Sequence, residues 1–200
     1  MKKRLFLAVA LFLILGIVSF NIYAAAPSAS FSADYKMTDA KGKVATGKIY
    51  MSGGKIRQET TIKDVTSVTI IRPDIKVSWT LMENNQYMEM KNPFDPAHPE
   101  ESDIEYEKAT IGTETVDGYT CQMIQYTYKE KKYGTMIQWM ADKLGFPIKT
   151  QTKDSKNKVT MTMEYTNIKV GKQPDSLFEI PEGYEKIDIP ALPFKIPGMK

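Results

Sequence analysis

From Phe31 onward one pattern governs the chain: apolar and polar residues alternate. In SFSADYKMT, Phe31, Ala33, Tyr35 and Met37 alternate with Ser32, Asp34, Lys36 and Thr38. A period of two puts successive side chains on opposite faces, so each such run reads as a half-buried β-strand. The pattern returns in KVATGKIYM, GKIRQETTI, VTSVTIIR, KVSWTLM and QYMEMK, separated by the turn signals DAKG, SGG, Pro73 and ENN. It resumes in IEYEKATIG, YTCQMIQYTYK, TMIQWMAD, FPIKTQTK and VTMTMEYTNIKV, and PDSLFEI then reads as a single helical turn. Two segments break the rule. Residues 92–103, NPFDPAHPEESD, form a Pro-rich loop, and residues 180–200 form a Pro-rich tail that cannot be a central strand. About eleven strands joined by short turns imply a mostly β fold: a single curved antiparallel sheet or incomplete β-barrel with little helix.

The first residues follow a different logic. Lys2, Lys3 and Arg4 precede an apolar run from Leu5 to Phe20, and Ala24 and Ala26 give a small-residue cleavage pattern. The run is shorter than the ~20 residues that span a membrane, so residues 1–26 read as a signal peptide and 27–200 as one exported domain. Those three basic residues account for the formal net charge of +3, which leaves the rest of the chain neutral. A neutral chain argues against nucleic-acid binding and against adhesion to anionic lipid by charge alone. The single cysteine, Cys121, permits no internal disulfide, and its place in a strand reads as a buried thiol.

Catalytic chemistry has little material. The only histidine, His98, sits in the Pro-rich loop, which removes His-based triads and His-rich metal cages. No catalytic residue, metal ligand or cofactor site is assigned, and the chain does not read as an enzyme. Methionine is the unusual component, with Met88 and Met90 in QYMEM and Met161 and Met163 in VTMTMEY. Three readings compete for these pairs: plain core, the pliable wall of a hydrophobic pocket, and a Cu(I) site. Copper is the weakest, because i and i+2 side chains of a strand lie ~7 Å apart and histidine support is missing. The pocket reading groups Tyr35, Met37 and Met51 with Trp79, Leu81, Met88 and Met90 on one broad face. From the second half it adds Met123, Ile137, Trp139, Phe146, Met161, Met163 and Tyr165. Flexible thioethers repack cheaply and suit adaptable binding surfaces.

Several stretches resemble the LolA/LolB-like periplasmic proteins, and most closely the DUF4412 type. They are FSADYKMTDAKGKVATGKIYM, NNQYMEMKNPF, the paired strands from Gly118 to Asp154, and VTMTMEYTNIKVGKQPDSLFEIPEGYEKI with its D-x-L-F-x-I-P-x-G-Y order. The resemblance implies an incomplete antiparallel barrel whose concave face holds a lipid, an acyl chain or another hydrophobic ligand. It implies a soluble periplasmic protein in envelope lipid or lipoprotein trafficking, with transient membrane contact and an envelope protein as a further partner. The alternative is a non-catalytic envelope structural, interaction or sensor protein with a filled core.

Overall fold

The computed structural model describes residues 29–82, 84–91 and 105–187. The signal-peptide segment, the loop that carries His98 and the tail beyond Ile187 lie outside the described residues. The first six strands are β1 (Phe31–Asp39), β2 (Val44–Ser52), β3 (Lys55–Ile62), β4 (Val65–Arg72), β5 (Val77–Met82) and β6 (Gln86–Lys91). The next five are β7 (Tyr106–Val116), β8 (Tyr119–Tyr128), β9 (Thr135–Ala141), β10 (Phe146–Lys153) and β11 (Val159–Val170). A twelfth, β12 (Glu185–Ile187), comes from the Pro-rich tail and pairs parallel with β6. The expected helical turn is a short 3-10 segment, Asp175–Phe178.

All twelve strands form one sheet, in the order β12-β6-β5-β4-β3-β2-β1-β11-β10-β9-β8-β7. Apart from β12 this is a meander in cyclic order. Each strand lies beside its sequence neighbour, and β1 pairs with β11. The cycle is broken only between β6 and β7, so the seam falls in mid-chain and the sheet stays open rather than closing into a barrel. In a flat sheet β6 and β7 would stand about 48 Å apart at the usual strand spacing. The connecting residues 92–105 reach about 50 Å only when fully extended, which favours a curled sheet.

Side chains identify the concave side. Phe31 on β1 and Phe146 on β10 are separated by β11, yet their ring centroids are 5.1 Å apart. Backbones two strands apart stand roughly 10 Å from each other, so these rings converge and their face is concave. The unshifted registers carry that face outward: Met51 pairs with Ile56, Ile56 with Ile71, Ile71 with Ser78 and Ser78 with Met90. On the other arm Met37 pairs with Met163, Met163 with Thr150, Thr150 with Gln138 and Gln138 with Ile124. A bulge at Pro147–Lys149 sets one extra β10 residue against β9. Beyond it Phe146 pairs with Ala141, whereas Thr150 pairs with Gln138, so both faces of β9 meet the core.

Gly47 on β2 is the tightest point of the concave face. A Cβ there would stand 1.8 Å from the Glu59 carbonyl oxygen and 2.8 Å from Cε1 of Tyr35. Glycine inside a strand commonly marks such a close approach. The gap lets the Tyr35 ring cross β2 and reach Thr60 and Gln58 on β3. Gly47→Ala is expected to cost about 3 kcal/mol through overpacking, read as a lower urea midpoint at unchanged slope.

Candidate functional site

The concave face has three zones. At its centre Phe31, Phe146, Tyr165 and Tyr35 form a chain of ring contacts, with centroids 5.1, 5.3 and 6.0 Å apart in turn. The Tyr165 hydroxyl donates to the Met163 sulfur at 3.0 Å, so that thioether already has a partner. Burial raises the pKa of both Tyr35 and Tyr165, which keeps these phenols neutral. Met37, Met51 and Met163 are buried beside the rings. Toward β7 a second aromatic group gathers: Tyr106 lies 5.4 Å from Tyr126 and 6.4 Å from Tyr128. Burial pushes both Tyr126 and Tyr128 up to about 12.

The zone toward β6 differs. The concave positions of β3–β5 carry Gln58, Thr60, Ser67, Thr69, Ser78 and Thr80, and the rim carries half-buried Met88 and Met90. Thr60 meets the Tyr35 hydroxyl, and Gln58 Nε2 donates to that hydroxyl at 3.1 Å. Hydroxyl side chains on this face were not singled out by the sequence reading. Their signal is the alternation of Ser67 and Thr69 with Val68 and Ile70, which assigns them to one face without saying which.

The structure divides the expected pocket residues. Tyr35, Met37, Met51, Phe146, Met163, Tyr165, Met161, Met88 and Met90 lie on the concave face. Trp79 and Leu81 do not: they pair with Glu89 and Tyr87, across the sheet from Met88 and Met90. Met123, Ile137 and Trp139 join the same buried cluster as Phe31, Phe146 and Tyr165 through the face of β9 that carries Ala141, although beyond the bulge Trp139 pairs with Lys149. Alternation gives each strand two faces, but the register decides which faces join, and a slip of one residue inverts the answer.

Both tryptophans have the same kind of polar partners. Trp79 Nε1 donates to Glu89 at 3.0 Å and Arg72 lies 5.8 Å from its ring. Trp139 Nε1 donates to Glu114 at 2.6 Å and Lys149 lies 4.7 Å from its ring. Ile70, Trp79 and Leu81 are covered by Leu177, Phe178, Ile180 and Tyr184 of the C-terminal strap. Arg72 pins that strap, donating to the Phe178 carbonyl at 3.1 Å and to Glu179 at 2.7 Å. Lys186 on β12 reaches Glu89 at 2.5 Å.

Other chemistry is sparse. Cys121 is buried, its Sγ donates to the Tyr119 carbonyl at 3.4 Å, and burial raises its pKa. That setting is the opposite of an activated thiolate. Among the described residues no group of three or more His, Cys, Asp or Glu side chains could hold a metal ion. On the convex side an open depression of about 550 Å³ is lined by Asp34, Lys36, Lys48 and Glu59. Lys48 and Asn167 both reach Asp34, at 3.2 and 2.9 Å. No helix among the described residues is long and apolar enough to cross a membrane.

These features define an all-β protein built on one open half-barrel sheet, with a concave face of aromatic, methionine and hydroxyl side chains. The chain belongs to the family described as domain of unknown function DUF4412, whose profile matches residues 32–145 and 129–184. An uncharacterized conserved protein from Thermus thermophilus is similar in fold. It is 13% identical with a TM-score of 0.61, over 90% of this chain and 99% of that one. The MucA/MucB complex of Pseudomonas aeruginosa holds a chain that is 17% identical with a TM-score of 0.56. That match covers 78% of this chain and 58% of that one. A LolA superfamily protein from Nitrosomonas europaea aligns loosely over 76% of this chain and 91% of its own, at 12% identity and a TM-score of 0.36. No curated protein matches the chain.

Two expected outcomes follow from this geometry. Glu89 has a lowered pKa because Lys186, and then Trp79, hydrogen-bond its carboxylate. Its stabilising contribution is therefore present above the unfolded value of about 4.3 and lost as pH falls through the lower folded value. A tryptophan-fluorescence titration is expected to show a step below that pH, and Glu89→Gln is expected to remove it. Cys121 is expected to react with an aromatic disulfide reagent at the rate of unfolding, so added urea accelerates modification until it matches the free thiol.

Proposed function

We propose that this protein is an exported, non-catalytic carrier that holds a lipid, acyl chain or comparable hydrophobic molecule on its concave face. The observation that carries this reading is the sheet's curl around the uncharged concave positions of β2–β5, with pliable Met88 and Met90 at the seam. An acyl chain needs an apolar, deformable lining inside a concavity, and methionine supplies it at low cost in strain. The N-terminal segment supports placement in the periplasm, where envelope lipid or lipoprotein traffic would supply the ligand and bring transient membrane contact.

A second reading is an envelope interaction protein with a filled core. The ring contacts of Phe31, Phe146, Tyr165 and Tyr35 favour it, since those side chains already fill the centre of the face. The mostly exposed edge strand β7 would suit a protein partner, and the Pseudomonas aeruginosa structure of similar fold is a complex of two proteins.

The two readings separate in one experiment. The protein is purified from a bacterial envelope without detergent, extracted with organic solvent and analysed by mass spectrometry. The carrier reading expects near-stoichiometric lipid that is lost on exchange into a Met88→Asp/Met90→Asp variant. Recovery of no lipid, together with a solidly packed concave face in a crystal structure, rejects it in favour of the interaction protein.

A further inference from the structure

The hydroxyl wall of β3–β5 is not what an acyl chain alone requires. Thr60 pairs in register with Ser67, Gln58 with Thr69, and Thr69 with Thr80. These side chains therefore form one contiguous patch across three strands. Thr60, Ser67, Thr69 and Ser78 are buried. Apolar residues of similar size would serve a plain core better, because a buried hydroxyl must find a partner or bear the loss of its hydration.

One of them has none. Thr69 is 2% exposed, and its Oγ1 has no hydrogen-bond partner among the described residues. The register directs it to the concave side, beside Gln58 and Thr80. Its neighbour Thr60, by contrast, is engaged with Tyr35 and Gln58. Charge sorts as sharply as polarity. The concave positions of β2–β5, from Ala45 to Met82, include no charged residue, whereas Lys48, Arg57, Glu59 and Arg72 all lie on the convex face. A site for a phosphate or a free carboxylate would carry a cation, because burying an unpaired charge is far costlier than burying a neutral dipole.

We propose that this patch is a hydrogen-bonding subsite for the uncharged, oxygen-bearing part of an amphipathic ligand, with Thr69 as its free partner. An acyl ester is the chemical class that fits. Its carbonyl accepts from Thr69 while its chain runs toward the methionine and aromatic zones. This assignment rests on the hydrophobic-ligand reading given above and adds the chemistry of the ligand's polar end.

The test uses displacement of the neutral fluorophore N-phenylnaphthylamine from the purified protein by methyl laurate, laurate and pentadecane. Wild type is expected to bind methyl laurate about tenfold more tightly than pentadecane and more tightly than laurate. Thr69→Val, which keeps the shape, is expected to weaken methyl laurate about fivefold and to leave pentadecane unchanged. Its ligand-free melting temperature is expected to hold or rise, since an unpartnered hydroxyl is removed. The subsite is overturned if Thr69→Val shifts both ligands equally or neither, or if laurate binds as tightly as its ester. A falling melting temperature overturns it too, because the hydroxyl then serves a structural contact or water. If the wild type binds neither the fluorophore nor pentadecane, the hydrophobic-ligand reading itself fails, and the subsite with it.

Discussion

The pairing of β1 with β11 is the constraint on which the molecule depends. Every other antiparallel pair in the sheet joins strands adjacent in sequence. This one joins Tyr35 to Tyr165 and Met37 to Met163, far apart along the chain. Without it the protein would be two separate meanders, each with an apolar face open to water. With it the two arms share a spine, and the aromatic chain from Phe31 to Tyr165 sits where they meet. Such a pairing must meet the entropy of closing a long loop before its contacts count.

The spine also explains how the two faces come to differ. Curvature draws concave side chains together, so large rings there exclude water by touching one another. Convex side chains splay apart, and a large apolar group left there needs another cover. Trp79 has it from the cation of Arg72 above its ring and the carboxylate of Glu89 beside its indole nitrogen. Trp79 is covered as well by the strap that Arg72 fastens. On β2–β5 the segregation of charge to the convex face follows from the same geometry, since solvent reaches charges more readily where the sheet opens outward.

Much of this was legible in the sequence, and the failures share one cause. Strands, turns, the single helical turn at PDSLFEI and the buried setting of Cys121 all follow from local alternation and turn chemistry. What alternation cannot supply is how neighbouring strands align. Trp79 and Met88 each sit on an apolar face, but the register Trp79 with Glu89 sends those faces to opposite sides. The bulge at Pro147–Lys149 is likewise a property of two strands together. Of the site, the methionines and three of the four central rings, Tyr35, Phe146 and Tyr165, could be named beforehand, whereas the group of Tyr106, Tyr126 and Tyr128 was not. The hydroxyl wall could not, because Ser and Thr in a strand usually read as its wet side. β12 escaped notice because its three residues lie in a Pro-rich tail and gain order only from the edge of β6.

That short strand has a consequence at the scale of many molecules. Open sheets polymerise when one copy's free edge can dock on the opposite free edge of the next. Here β12 and its Lys186 occupy the β6 side, while β7 has no strand partner beyond β8 among the described residues. A sheet with a single sticky border can join one neighbour, border to border, and then stop. Three residues of tail thus blunt one of the two borders along which copies of the sheet could otherwise extend.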